Sequence, residues 1–393
     1  MSVGFAAAEV AVSGSARMGI VSTDGDSAFS SRVRMTFTGK GTTDGGLEFG
    51  GSFDAHNSQG ANAGSSGSTY ISGAFGKISM GDVSSGDAKA VGQLASVGYT
   101  GLGSTNSINY AAQGVDGFGL NDVKADSASI AHGEYTAPTR PAFDNISDAG
   151  GAKVLYTYAA GGLSVSASTA QLTNGGSTAY GVGAAYTTGA LTVAVGYGSN
   201  DATYNNVDIV VDDNGTLTEA NADGFAGTVK DTSVSATYVM GATTIMGIYQ
   251  LKSIDLSRPI DLDDNGVAQD LAGHATVTND GNLTYSGDVI DLSASATSMG
   301  MSVSHTIDAL TLTAFSVSTE LDLGDVIGTG TVTRSGLGVA YDLGGGAKVK
   351  AGWVNANTVD TVKPEVDSGG DLVAGSISEA SYNVMDVGVS FSF

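Results

Sequence analysis

Five basic side chains stand at alternating positions in three short segments of the sequence. They are Arg17, Arg32, Arg34, Lys348 and Lys350. Residues two apart in a β-strand point to the same face, so the cations would share one face and the intervening Val33 and Val349 the other. Such a row of cations changes no bond by itself, but it sets an electric field that steers ions. The alternative is that these side chains lie at the rim of a sheet, with their stems on apolar surface.

A second group of side chains has the spacing of a calcium site. Residues 261–266, DLDDNG, match the start of an EF-hand loop, in which alternating oxygen atoms surround Ca²⁺. Ala272 occupies position twelve, where a complete EF-hand carries a glutamate. Two interpretations stay open: a weak external calcium site with Asp261, Asp263 and Asn265 as ligands, or a plain polar turn. We expect no other cofactor.

The sequence contains no recognisable catalytic constellation. The four histidines lie far apart, and there is no H-E-x-x-H motif, nucleophile elbow or phosphate-binding loop. The absence of cysteine removes thiol catalysis, disulfides and iron–sulfur clusters together. We therefore predict that the protein is not an enzyme.

Composition narrows the partners. The 393 residues include 40 acidic and 16 basic side chains, a net charge of -24, so nucleic acid is not an expected partner. The 59 glycines follow no three-residue period and proline is scarce, which excludes collagen.

The elements that would carry these side chains are predicted to be β-strands. Residues 154–200 contain no charged or histidine side chain, yet they hold no apolar run of the ~18–20 residues that a membrane helix needs. Their apolar residues alternate instead with small or polar ones, as in Leu191, Val193 and Val195. One strand face is then apolar, and the other is small or polar.

Loop length follows a regular order along the chain. Short glycine-rich turns alternate with long acidic connections, which we place at 83–152, 200–229, 253–287 and 355–380. Sorting of loop lengths by edge, with strands of about ten residues, is typical of a transmembrane β-barrel. The sequence therefore predicts an all-β fold, a transmembrane antiparallel β-barrel of about 16 strands.

One strand has an ambiguous phase. Ile290 and Leu292 alternate in one phase, whereas Met299, Met301 and Val303 continue in the other. Either a bulge re-phases one long strand, or its first part belongs to the preceding loop.

The first residues carry information on export. Residues 1–8 end in three alanines before Glu9, as at a signal-peptidase site, but no positive residue precedes them. We interpret 1–8 as the remnant of a signal peptide and 9–393 as one barrel domain; a slightly apolar terminus is the alternative.

Several stretches resemble the general diffusion porins of Gram-negative outer membranes, in particular those of alphaproteobacteria. They are GSARMGI, FSSRVRMTF, GTTDGGLEFGGSFDAH, GAFGKISMGD, VGYTGL, AYDLGGGAKV and DVGVSFSF. The resemblance implies a sixteen-stranded barrel in the outer membrane, in contact with lipid and lipopolysaccharide and usually assembled as a homotrimer. It also implies that the third external loop, residues 83–152 here, folds into the lumen and narrows it.

Family members set carboxylates of this loop against a basic wall, and the resemblance carries this feature over only as a group. The candidate acids of the constriction are Asp82, Asp87, Asp116, Asp122, Asp126 and Glu134. Each could equally be a solvated loop acid. The five basic residues named above would form the opposing wall, because an arginine on the lipid face would cost roughly 2–4 kcal/mol at mid-bilayer.

The resulting functional expectation is a passive channel for ions and small hydrophilic solutes. The acidic loops should give it a mild preference for cations. Two alternatives stay open: a secreted, calcium-binding β-rich surface protein, and a substrate-specific outer-membrane channel.

Overall fold

A computed structural model describes residues 9–56, 67–113, 153–171, 178–211, 217–262, 268–269, 275–277, 283–285, 288–322, 329–362, 365–366, 372–373 and 376–393. Sixteen long strands form the main sheet. In chain order they are β1 Glu9–Thr23, β2 Asp26–Thr42, β3 Glu48–His56, β4 Gly67–Gly73, β5 Gly76–Gly81, β6 Lys153–Ala160, β7 Leu163–Gln171, β8 Thr178–Thr188, β9 Leu191–Val211, β10 Leu217–Met240, β11 Thr243–Leu262, β12 Asp288–Ile307, β13 Leu310–Asp322, β14 Thr329–Gly344, β15 Ala347–Val362 and β16 Ser376–Ser392.

The sheet closes on itself. Each long strand pairs antiparallel with its neighbour in chain order, and β16 pairs with β1 from Ser15 opposite Ser392 to Thr23 opposite Val384. Closure pairs the first strand with the last one, so the sheet has no free terminal strand of unpaired backbone groups, which a membrane would not tolerate. The predicted sixteen-stranded antiparallel barrel is confirmed.

The remaining elements are short. A two-residue strand, Ala268–Gln269, pairs with the end of β11, and two small hairpins form separate sheets. These hairpins pair Ala275–Val277 with Leu283–Tyr285, and Glu365–Val366 with Leu372–Val373. The helix α1, Gly86–Val91, and two 3₁₀ helices, Leu102–Ser104 and Ala111–Gln113, follow β5. Within the ranges given above, no helix is long and apolar enough to cross a membrane.

One edge of the barrel carries only short turns. Seven connections of two to five residues lie there, at 43–47, 74–75, 161–162, 189–190, 241–242, 308–309 and 345–346. The opposite edge carries the long connection between β5 and β6, but also a two-residue turn at Asp24 and Gly25. The predicted alternation of short turns and longer connections holds only in part, because the turn at 24–25 and the five-residue connection between β9 and β10 are as short as those of the first edge.

Three of the predicted long loops contain long stretches of strand. β9 extends to Val211 and β10 begins at Leu217, and the two pair through the whole region that we expected to be a loop at 200–229. β11 and β15 likewise continue to Leu262 and Val362. Polar composition indicated loops, but these polar residues keep backbone hydrogen bonds to the neighbouring strand. The individual strands of these hairpins are longer than the ~9–11 residues that a β-strand needs to cross a bilayer.

The strand with the ambiguous phase is continuous. β12 pairs with β11 in one register from Asp288 to His305, so neither the expected bulge nor the loop assignment is correct. Met299 and Met301 point outward with more than half of each side chain exposed, whereas Ala296, two residues before Ser298, is buried on the inner face. The described residues Ala294 and Ala296 share the inward phase, so small apolar residues occupy the inner face at one height of the strand and larger ones the outer face at another.

Apolar side chains cover the outside of the barrel. Outward residues such as Met18, Ile20, Val33 and Met385 are exposed, while their neighbours in sequence point inward. This alternation is what a lipid-facing wall with a polar interior requires.

Candidate functional site

The segment after β5 lies inside the barrel and follows its inner wall. Residues 82–113, here called the inner loop, begin with α1 against β7–β9 and continue past β10–β15 until Thr100 reaches β16 and β1. Buried apolar residues of the loop pack on the wall. They are Val91, Leu94, Val97, Tyr99, Leu102, Ile108 and Tyr110. The loop therefore narrows the lumen from one side.

Glycines on the wall make this close approach possible. A Cβ on Gly352 of β15 would lie 2.5 Å from the amide nitrogen of Gly98, and a Cβ on Gly338 of β14 would lie 2.8 Å from Cβ of Val97. Real Cβ atoms do not approach other atoms so closely, so larger side chains would displace the loop. Glycine in a strand often marks a close approach of another backbone.

The inner loop is also bonded to itself. The amide of Gln93 donates to the carbonyl of Ile108 at 2.7 Å and its oxygen accepts from the Ile108 N–H at 2.6 Å. Asn106 donates to the carbonyl of Leu94, and the Tyr110 hydroxyl donates to the carbonyl of Gly92. The outgoing and returning legs of the inner loop are therefore hydrogen-bonded into one ribbon.

One buried wall carboxylate holds the far end of the ribbon. Oδ2 of Asp386, in β16, accepts the backbone N–H of Thr100 at 2.8 Å and its hydroxyl at 2.6 Å. Arg17 of β1 donates from Nη1 to the carbonyl of Thr100 at 3.0 Å. Asp386 is only 4% exposed, so water competes little for these charge-assisted bonds. We call this group the Thr100 clamp.

A second buried carboxylate holds the near end. Oδ1 of Asp231, in β10, accepts the N–H of Ala111 at 2.6 Å, and Oδ2 accepts from Ser233 at 2.8 Å and from Gln250 at 3.2 Å. Gln250 also donates to the carbonyl of Asn109 at 2.9 Å. The buried Lys252 lies near Asp231 and balances part of its charge.

Asp87 lies in this same buried region. It sits in α1 with no exposed surface, and its burial, together with the negative charge of Asp231, raises the pKa of Asp87 to about 6. Ser85 and the backbone N–H of Ala88 offset part of this rise. The position differs from the expectation that this acid faces the basic wall across water, because α1 turns it toward β8–β10 instead.

The five predicted basic residues all lie on the inner faces of adjoining strands. Arg32 of β2 stands opposite Arg17 of β1, which stands opposite Ser390, and Ser390 stands opposite Lys348 of β15. Closing of the barrel thus brings these cations into one row. Lys350 is two residues further along β15 and shares its inward face.

The partners of this row are partly wall acids that the sequence reasoning missed. Arg34 lies 3.6 Å from Asp54 of β3, whose other oxygen accepts from Thr36 at 2.6 Å. Lys348 forms an exposed ion pair with Asp342 at 3.2 Å. Arg17 holds the inner loop rather than open water.

The remaining predicted site residues are only partly described. Asp82 is exposed at the end of β5, on the edge with the longer connections. Asp116, Asp122, Asp126 and Glu134 lie outside the described residues, as do Asp263 and Asn265 of the calcium motif. Asp261 belongs to β11. Among the side chains that the structure does describe, no group of three acids or histidines could hold a metal ion.

Other buried charges of the inner wall were also missed. They are Asp231, Lys252, Arg334 and Asp386. Arg334 donates to the carbonyl of Ser107 at 3.2 Å. Strand phase could have placed Asp386 inside, because it shares the face of Gly388 and Ser390. Nothing local to the sequence shows that the inner loop covers them.

The fold and this site define a class of protein. A closed barrel of sixteen strands, apolar outside and charged inside, encloses a water-filled lumen, and here a loop narrows it. This is an outer-membrane channel. The model of the Gram-negative porin family matches residues 2–361, and the chain belongs to that family.

Individual relatives agree. A porin of Rhodobacter capsulatus is 32% identical over 354 residues, which are 88% of this chain and 93% of that protein. A solved porin structure with 29% identity covers 98% of this chain and 100% of that one, with a TM-score of 0.59. OmpT, an outer membrane protein of Vibrio cholerae, shares the fold at 15% identity, with a TM-score of 0.60 over 100% of this chain and 99% of its own.

Proposed function

We propose that this porin is a trimeric, mildly cation-selective passive channel for ions and small hydrophilic solutes. The observation that carries the proposal is the inner loop, which lies along the lumen wall, while charged side chains such as Arg32, Arg34 and Asp54 line the wall at β2 and β3. Membership of the porin family favours a channel over an enzyme. An integral outer-membrane protein is not secreted, so the alternative of a secreted surface protein is wrong.

Net charge supports the cation preference. The chain carries a charge of -24, and many of its acids lie in the connections outside the sheet. A negative vestibule raises the local concentration of cations, although salt screens its field beyond ~8 Å. The row of Arg17, Arg32 and Lys348 opposes this field locally, so the preference should be mild.

Strand length supports the trimer. β4 and β5 contain 7 and 6 residues, fewer than the ~9–11 that a tilted strand needs to cross a bilayer. This low wall exposes Ile71, Ile78 and Met80. A second copy of the chain would cover this apolar, thin side better than lipid does, while lipid and lipopolysaccharide surround the taller strands.

The proposal predicts the sign of the reversal potential in a salt gradient across a planar bilayer. We expect a mild preference for potassium over chloride, with conductance steps that appear in threes. Replacing Arg32 by glutamine should increase the cation preference, because Arg32 faces the lumen beside Arg17 and Arg34.

Lys230→Gln is the matched control. Lys230 is exposed on the outer face of β10, whereas its neighbour in sequence, Asp231, is buried on the inner face. A clear chloride preference of the unmodified protein would contradict the proposed selectivity. Single, independent steps would contradict the trimer.

A further inference from the structure

A cavity of about 700 Å³ lies between α1 and the short-turn ends of β3–β7. In a transmembrane barrel this edge faces the periplasm, so the cavity lies just below the part of the lumen that α1 narrows. The volume is in the range of ligand-binding clefts, ~300–1,000 Å³. Neither the Thr100 clamp nor the basic row involves its residues.

Five inward residues of adjoining strands form one row along this cavity. Glu48 stands opposite Ser72, Ser72 opposite Lys77, Lys77 opposite Thr157, and Thr157 opposite Ser166. Adjacent strands lie ~4.8 Å apart, so a carboxylate, hydroxyls and an ammonium group follow one another at regular steps. All five residues line the cavity.

A second ammonium group reaches the same cavity from the inner loop. Lys89, in the last turn of α1, is exposed and lines the cavity together with Lys77. The loop is fixed at this point, because the Gly86 N–H donates to Ser168 at 2.7 Å and the Gly86 carbonyl accepts from Ser166 at 2.6 Å. The two lysines therefore approach one space from two directions.

The groups of the row are held in position. Nζ of Lys77 lies 4.0 Å above the ring of Tyr70, a cation–π contact that restricts the long side chain. Glu48 accepts from the Ser72 hydroxyl at 3.4 Å. From Lys77 toward β3, the row continues with the Ser72 hydroxyl and then the Glu48 carboxylate. Ammonium groups followed in this direction by a hydroxyl and a carboxylate acceptor match a molecule with an anionic head and a hydroxylated chain.

We propose that this cavity is a weak binding site for small polyhydroxylated carboxylates, such as sugar acids, as they pass through the channel. The carboxylate would lie between Lys77 and Lys89, and the chain hydroxyls would extend along the row to bond Ser72 and Glu48. The site rests on the channel function of the family. Its two cations oppose the negative charge of the chain, which explains how a channel that favours cations could still retain an organic anion.

The test uses single channels of the full-length protein in potassium chloride, with gluconate added in increasing amounts. We expect a saturable fall in conductance, beyond the linear change that the lower mobility of gluconate causes. Lys77→Gln and Lys89→Gln should each raise the half-blocking concentration by about two- to fivefold, the range of exposed ion pairs. Acetate, which lacks hydroxyls, should block more weakly than gluconate.

Lys230→Gln removes the same charge outside the lumen and should leave the block unchanged. A strictly linear effect of gluconate, equal block in the lysine variants, or equal block by acetate would each overturn the proposal. These results are distinct from failure of the channel function, which would appear as an absence of conductance in potassium chloride alone.

Discussion

Replacement of Asp386 by alanine is expected to release the far end of the inner loop. The substitution removes the acceptor of two bonds from Thr100 and leaves Arg17 beside it without this carboxylate. Breaking a buried charged network of this kind typically costs ~3–5 kcal/mol. We expect a large rise in open-channel current noise and a lower temperature of thermal unfolding, because the ribbon that narrows the lumen then moves.

Asp386→Asn keeps one oxygen acceptor and should show a smaller change of the same kind. Asp342→Ala serves as the control, because its ion pair with Lys348 is exposed and exposed pairs contribute little. If Asp386→Ala left both the current noise and the unfolding temperature at their original values, the Thr100 clamp would not hold the loop.

Replacement of Asp87 by asparagine should change how the inner loop responds to pH. The pKa of Asp87 in the docked helix is about 6, raised from 3.8. The docked state therefore binds more protons than a released loop between these two pH values. Docking is strongest below about pH 4, weakens as the pH rises to about 6, and stays constant above it. The full effect corresponds to about 3 kcal/mol.

An asparagine side chain cannot ionise, so we expect the Asp87→Asn variant to lose this part of the pH dependence and to hold α1 more firmly at pH 8. Open-channel noise recorded from pH 4 to pH 8 measures the effect. Asp231 lies in the same region and its charge acts on Asp87, so the difference between the two curves reports the titration of Asp87 together with its effect on Asp231. Parallel curves for the two proteins would show that Asp87 does not control docking.

Strand phase was the most informative signal in the sequence. It follows from backbone geometry alone, and it placed Arg17, Arg32 and Arg34 inside without knowledge of the loops. Strand phase alone does not bring Lys348 close to Arg32. To predict that they share a row, one must also know that β16 pairs with β1, and the predicted closed barrel implies this pairing. The role of these cations in the pore stays a prediction.

The position of the inner loop could not be predicted from local patterns. Asp87 and Asp82 are both acids of the same segment, yet one is buried against β8–β10 and the other is exposed. This difference depends on where α1 packs, which is set by contacts more than a hundred residues away, such as Asp231 with Ala111.

The loops were overestimated for a related reason. Polar residues in 200–229 suggested irregular structure, whereas the described strands continue to Val211 and from Leu217 because they pair with each other across the hairpin. Composition reports on solvent exposure, and exposed hairpins above a membrane surface are as polar as loops. The composition of a segment therefore indicates its exposure to solvent, whereas its phase indicates whether it is a strand and which residues share a face.

Swelling of liposomes that contain the purified protein, in a series of uncharged sugars of increasing size, tests the central claim most directly. The account predicts swelling rates that rise linearly with sugar concentration and fall steeply with sugar size, as for a water-filled lumen narrowed by the inner loop. Liposomes that do not swell even in the smallest sugar, with protein whose β-sheet content is confirmed by circular dichroism, would contradict an open diffusion channel.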